Sequence, residues 1–124
     1  MLYEDLTRQI IGAYYDVYNT LGYGFLEQVY HNAMVMELRN RGLSCESQKH
    51  IDVFYKNEVV GYFIPDIIVE DKIIIELKAL SELTGEEASQ VLNYLKATGM
   101  EVGILLNFGG PTASFRRYDN HFEK

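Results

Sequence analysis

The chain has 124 residues with 48% hydrophobic content, a globular composition that fits one domain spanning residues 1–124 and excludes an intrinsically disordered protein. No apolar run reaches the roughly 18 residues that a membrane-spanning helix needs. The formal charge of −7 gives no overall basic footprint, so any grip on nucleic acid must come from clustered cations, bound metal ions or a partner's surface. The acidic start, Met1-Leu2-Tyr3-Glu4-Asp5, lacks the basic region of a signal peptide, and the single cysteine, Cys45, cannot form an internal disulfide. Both features point to a reducing, cytoplasmic setting.

From Tyr3 to Leu21, apolar residues Leu6, Ile10, Ala13, Tyr14, Val17, Tyr18 and Leu21 recur at three- and four-residue steps. This spacing predicts an amphipathic helix that stops at Gly22 and Gly24. A second helix is expected from about Leu26 to Arg41, with Val29, Tyr30, Ala33, Met34 and Leu38 on one face and Gly42 ending it. Three strands then read as Ser47–Tyr55, Val59–Val69 and Ile73–Ala79, separated by turns at 56–58 and 70–72. Ser81 or Thr84 is placed to cap a third helix carrying Ala88, Val91, Leu92 and Leu95, with Glu86 and Glu87 at the positive end of its dipole. A buried strand at 102–107 and a short strand at 114–118 complete the chain. The order predicts a mixed α/β domain in which strand 102–107 lies parallel to a neighbour through a crossover connection.

The strongest chemical signal is Ile64-Pro65-Asp66 followed by Ile73-Ile74-Ile75-Glu76-Leu77-Lys78. Side chains alternate along a strand, so Ile74, Glu76 and Lys78 share one face, with Ile64 assigned to the same side. A three-residue turn at 70–72 pairs Val69 with Ile73 and sets Asp66 opposite Glu76, with Cβ atoms about 4.5–5.5 Å apart. Two carboxylates at that separation repel unless a proton or cation intervenes, and a hard divalent ion such as Mg²⁺ or Mn²⁺ suits oxygen ligands. Lys78 is two residues on, placed to orient a water or to stabilise charge on a phosphate. The alternative is a solvated outer face of an antiparallel hairpin.

Pro65-Asp66, nine intervening residues, then Glu76-Leu77-Lys78 resembles the signature of the PD-(D/E)XK nuclease superfamily. Upstream, Gly24-Phe25-Leu26-Glu27-Gln28-Val29-Tyr30 resembles the G-x-x-E-x-x-Y string that names the GxxExxY proteins within it. The resemblance implies a restriction-endonuclease-like core, a central mixed sheet of four to five strands flanked by helices. It implies Mg²⁺- or Mn²⁺-dependent hydrolysis of phosphodiester bonds, with DNA as the expected substrate. Asp66 and Glu76 resemble the metal-binding carboxylates, Lys78 the catalytic lysine, and Glu27 the helix-borne acid that completes the site. Gln90 and Tyr94, four apart on the third helix, resemble an accessory pair that supports the site or touches nucleic acid. Tyr30 shares a helix face with Glu27, which suits core packing and allows a hydroxyl contact to the site. On the residues alone, Glu27 reads as an ordinary helix-start glutamate, a reading the motif reverses, and simple helix packing is the alternative for Gln90 and Tyr94.

The other candidates carry less. His31, His50 and His121 have no metal-ligand spacing, and Cys45 reads as a semi-buried strand-edge thiol. Arg116-Arg117, with Lys96 and Lys49, could meet a phosphate backbone, although adjacent arginines on a strand face opposite ways. The ten tyrosines offer stacking platforms for bases, whereas Tyr14, Tyr15 and Tyr18 read as helix packing. Besides a self-sufficient nuclease, the acidic composition suits a nuclease-fold module that acts through protein association, or a subunit whose grip on nucleic acid comes from a homodimer or a basic partner.

Overall fold

The computed structural model describes residues 1–120, and His121 lies outside them. Two helices, α1 (Glu4–Leu21) and α2 (Glu27–Asn40), precede strand β1 (Cys45–Ser47), ribbon strands β2 (Ile51–Tyr55) and β3 (Glu58–Phe63), and strands β4 (Ile67–Val69) and β5 (Ile73–Lys78). Helix α3 (Glu86–Thr98) then leads to β6 (Val102–Asn107) and β7 (Ser114–Asp119). The main sheet runs β1-β4-β5-β6-β7, while β2 and β3 pair only with each other. Within the main sheet, β5 and β6 are parallel, as the strand–helix–strand connection predicts, and the other neighbours are antiparallel.

Alternation along the central strands builds two apolar layers. Ile73, Ile75 and Leu77 of β5, with Val102, Ile104 and Leu106 of β6, face Ile10, Tyr14, Tyr30, Met34 and Leu38 of α1 and α2. On the other face, Ile68, Ile74 and Leu105 meet Val91, Tyr94 and Leu95 of α3. Both layers are apolar cores made from strands buried on both sides, which is why β5 and β6 read as continuous apolar runs. Gly103 lets α3 approach β6: a Cβ added there would lie 2.5 Å from Val91 Cγ1.

The sequence expectations fail where the chain changes sheets. The single strand read at 47–55 divides at 48–50, and that read at 59–69 divides at Ile64-Pro65-Asp66. Proline has no N–H for a ladder, and the residue before it is steered out of helical geometry, so the chain bends there from the ribbon into β4. Ile64 is consequently exposed and does not form part of the apolar face with Ile74. Val29 and Leu92 also lie on the outer sides of their helices. Neither Ser81 nor Thr84 caps α3. Instead the Glu87 carboxylate accepts the backbone N–H groups of Thr84 and Gly85, so a first-turn acid performs the capping.

Candidate active site

The hairpin geometry that the turn length dictates is present, with Val69 opposite Ile73 and Ile67 opposite Ile75. One residue beyond the ladder, Asp66 meets Glu76. The Asp66 backbone N–H donates to Glu76 Oε1 at 3.0 Å, and Leu77 N–H donates to Asp66 Oδ2 at 2.8 Å. Each carboxylate thus takes an amide from the other strand, which fixes both side chains at the point where the hairpin opens. Glu76 is buried with 2% of its surface exposed, and Asp66 is half-buried.

Burial first, and the neighbouring charge of Asp66 second, push the Glu76 pKa from 4.5 up to about 8. The Asp66 pKa is also raised, mainly by burial, with partial relief from the Leu77 amide and the charges of His31 and Lys78. At neutral pH the pair therefore resists holding two full negative charges. Glu27, the first residue of α2, stays solvent-exposed, yet partial loss of water around its carboxyl and the charge of Asp66 raise its pKa, while Lys78 lowers it. Elements from three parts of the chain converge here: the start of α2, the β4–β5 hairpin and the end of β5.

Glu27 and Lys78 line a cleft of about 590 Å³ whose other wall is α3, contributing Gln90, Asn93 and Tyr94, with Phe63 at one side. Gln90 Nε2 donates to Tyr94 Oη at 2.9 Å, so the two residues act as one rigid polar unit. Glu76 lies close enough for its charge, after burial itself, to raise the Tyr94 pKa. Lys78 is held from behind. Phe108 N–H donates to Lys78 O, and the buried Asn107 side chain accepts from Leu80 N–H and donates to Leu80 O. Gly109 packs so tightly against this clamp that an added Cβ would sit 2.2 Å from Leu80 N.

Tyr30 takes no direct part. Its ring stacks on Phe108 with centroids 4.5 Å apart, and its hydroxyl donates to Gly22 O while accepting from Phe25 N–H. The hydroxyl contacts lie in the 22–25 segment that leads into α2, so Tyr30 ties down the approach to Glu27. Tyr14 and Tyr18 make equivalent tethers on the far side, to Asn107 O and Gly110 O, whereas Tyr15 is exposed.

His31 is the residue that sequence reasoning missed. It is buried, its Nε2 lies 2.6 Å from Ser47 Oγ, and its charge is felt by Asp66. The signal was available: His31 follows Glu27 by four residues and so shares its helix face. Of the remaining basic residues, Arg117 is bound to Asp119, Thr7 and Leu2, and Lys49 pairs with Glu46. Arg116 is different. It pairs with Leu105, which pairs with Glu76, so it stands on the same sheet face as Glu76 two strands away, roughly 10 Å.

These residues and their spacing match a known family. A sequence model of the PD-(D/E)XK nuclease superfamily fits residues 4–118, nearly the whole chain. The chain belongs to the PD-(D/E)XK nuclease superfamily. Among solved structures, the crystal structure of SSO0001 aligns with a TM-score of 0.62 over 77% of this chain at 17% identity. That likeness shows the fold, a restriction-endonuclease-like mixed sheet flanked by helices. The chain spans about 50% of the length of SSO0001. No curated protein gives a significant match. Superfamily membership identifies the domain as nuclease-like, and enzymes of this superfamily generally use divalent metals. Among the described residues, no group of three or more His, Cys, Asp or Glu side chains is arranged to hold a metal ion, and no helix is long and apolar enough to cross a membrane.

Proposed function

We propose that this domain is a divalent-metal-dependent nuclease of the GxxExxY group, acting on phosphodiester bonds, in the first place of DNA, in a cytoplasmic setting. The observation that carries the reading is the facing pair Asp66 and Glu76, on the same hairpin as Lys78, which with Glu27 lines the adjoining cleft. The donor chemistry fits a hard cation. All three acids offer oxygen, and each of Asp66 and Glu76 has one carboxylate oxygen left over from the amide bonds that orient it.

In this reading Asp66 and Glu76 would hold Mg²⁺ or Mn²⁺, and Glu27, which is not gathered with them into a ready-made cage, would complete the set; the ion would supply Lewis acidity and make water more acidic. The chain's own residues do the rest. Asp66 and Glu76, locked by backbone amides, set the position of the reacting phosphate relative to the sheet. Lys78, whose backbone carbonyl accepts the Phe108 N–H, lines the cleft, and its ammonium stabilises charge gathering on the phosphate oxygens. The Gln90–Tyr94 unit supplies the opposite wall and hydrogen-bonds the nucleotide. Tyr30 orders the Glu27 loop.

One observation favours a second reading, a weakly active module or nuclease subunit that works through a protein partner or homodimer. The cleft has three glutamates in its lining, Glu27, Glu86 and Glu87, against a single cation, Lys78. A phosphate chain entering it meets net repulsion that a basic partner surface would offset. An Mg²⁺/Mn²⁺ cleavage panel on single-stranded, duplex and branched DNA and on RNA, with Lys78→Ala as control, separates the two. Metal-dependent cleavage lost in Lys78→Ala supports the nuclease. Calorimetry that detects no metal binding supports the association module, and metal binding with feeble cleavage supports the subunit.

A further inference from the structure

His31 is buried, and its contacts lead to the strand edge next to Asp66. Its Nε2 lies 2.6 Å from Ser47 Oγ, at the end of β1. Ser47 pairs with Ile67 of β4, and the next residue, Gln48, donates its backbone N–H to Asp66 O at 3.0 Å. From His31 to Asp66 the path therefore crosses one side-chain bond, one peptide and one backbone bond. One helical turn before His31, on the same face of α2, stands Glu27.

The site end of β1 depends on this tie. β1 is an edge strand of three residues, with a short ladder to β4 on one side only. Gln48, just past its end, has a left-handed backbone with φ 53, which a residue with a side chain keeps only where its surroundings enforce it. The contacts on either side do so: Ser47 is held by His31, and the Gln48 N–H is held by Asp66 O. At the other end of β1, Arg39 donates to Cys45 O at 3.2 Å, but that bond is exposed, whereas His31 is 5% exposed.

We propose that His31 is a positioning residue of the carboxylate site: through Ser47 it ties the helix that carries Glu27 to the strand edge beside Asp66, and so sets the spacing of the acids. This role rests on reading Asp66, Glu76 and Glu27 as ligands of one metal ion. Among the described residues the acids are not gathered into a ready-made cage, so the distance of α2 from the β4–β5 hairpin decides whether one ion reaches them all. Burial raises the Asp66 pKa, and the Leu77 amide and a charge on His31 offset part of this, which puts the ring within electrostatic reach of that carboxyl. Tyr30 and His31 divide the work on α2. Tyr30 holds the segment that leads into the helix, and His31 holds the helix to β1.

The test uses the full chain and begins without metal, so its first readout is independent of cleavage. Amide hydrogen exchange is followed by NMR in EDTA for the wild type, Ser47→Ala, His31→Leu and His31→Gln, with Asn32→Ala as control. Ser47 is exposed, so Ser47→Ala breaks the tie without opening the core. Asn32 is exposed on the same helix, where it accepts a bond from Gln28. Exchange at the Gln48, Asp66 and Leu77 amides should quicken about ten-fold in Ser47→Ala and His31→Leu, while Ile75 and Ile104 stay slow. His31→Gln places an amide nitrogen where Nε2 stood and should restore protection, and Asn32→Ala should match the wild type. Calorimetry with Mn²⁺ then reads the acids: Ser47→Ala and His31→Leu should weaken binding by about ten-fold or more, and His31→Gln by less. Unchanged exchange at the three amides in both tie-breaking variants overturns the proposal. So does faster exchange with wild-type affinity for Mn²⁺, or a loss in His31→Leu that Ser47→Ala fails to reproduce, since the ring then acts by packing alone. A wild type that binds no Mn²⁺ refutes the metal reading instead, and the exchange experiment then decides the tie by itself.

Discussion

Glu76→Gln separates the contribution of this side chain to stability from its contribution to function. The substitution keeps the shape, and Gln Oε1 can still accept the Asp66 N–H that Glu76 Oε1 accepts. What it removes is the ionisation. Because the folded-state pKa of Glu76 is raised from 4.5 to about 8, the folded protein holds that proton more tightly than the unfolded chain. The associated stability is fully present below about pH 4.5 and is lost as pH rises through about 8. At about 1.36 kcal/mol per pH unit, the interval corresponds to roughly 5 kcal/mol at most, and sharing of the proton with Asp66 reduces this to about 2–4 kcal/mol. Urea unfolding in EDTA at half-unit steps from pH 5 to pH 9 measures it. The wild type should lose stability steadily across the range, whereas Glu76→Gln should be flatter and more stable than the wild type by about 2–4 kcal/mol at pH 8.5. The same variant should lose cleavage, since an amide is a poor ligand for a divalent ion. Parallel pH profiles, or a variant less stable than the wild type at pH 8.5, would show that the buried carboxyl pair carries no electrostatic strain.

Three further outcomes follow from the same geometry. Lys78→Met should lower the cleavage rate by about 10²-fold or more while shifting Tm by only a few degrees, measured on matched substrates in Mn²⁺. Tyr30→Phe removes the hydroxyl that joins Gly22 O to Phe25 N–H; urea melts should show a loss of about 1–2 kcal/mol, and cleavage should fall because Glu27 is no longer held. Gly109→Ala forces a methyl into the Ala79–Leu80 backbone and should cost at least about 3 kcal/mol, against a near-neutral Gly61→Ala, where an added Cβ meets nothing within 4 Å; differential scanning calorimetry of the pair reads the contrast.

Much of this site was legible in the sequence because local rules dictate it. The turn at 70–72 fixed the register that brings Asp66 to Glu76, and strand alternation put Glu76 and Lys78 on the α3 face. Residues that act across the fold were harder to see. Nothing in the order of the chain says that Asn107 closes on Leu80, or that His31 is buried against Ser47 next to Asp66. The strands misread at 47–55 and 59–69 share one cause. Alternation continues through a change of sheet, because each half is apolar on one side for a different partner: α3 for the ribbon, and both helical layers for β4. Pro65 marks the second break, by what its backbone cannot donate, whereas no proline marks the first, at 48–50.

The electrostatics of the pair bear on why such a site persists in an acidic domain. A buried Glu76 that faces a half-buried Asp66 is costly to the apo fold at neutral pH, and Lys78 relieves it only in part. Ile74, two residues earlier on the same face, shows that the α3 layer accepts an aliphatic side chain there without difficulty. The domain therefore retains ionisable groups where apolar residues would make it more stable, and it fixes them with backbone amides beside Lys78, which lines the cleft. That combination sets this carboxylate pair apart from a solvated hairpin face, in which the acids would be exposed and close to their ordinary pKa.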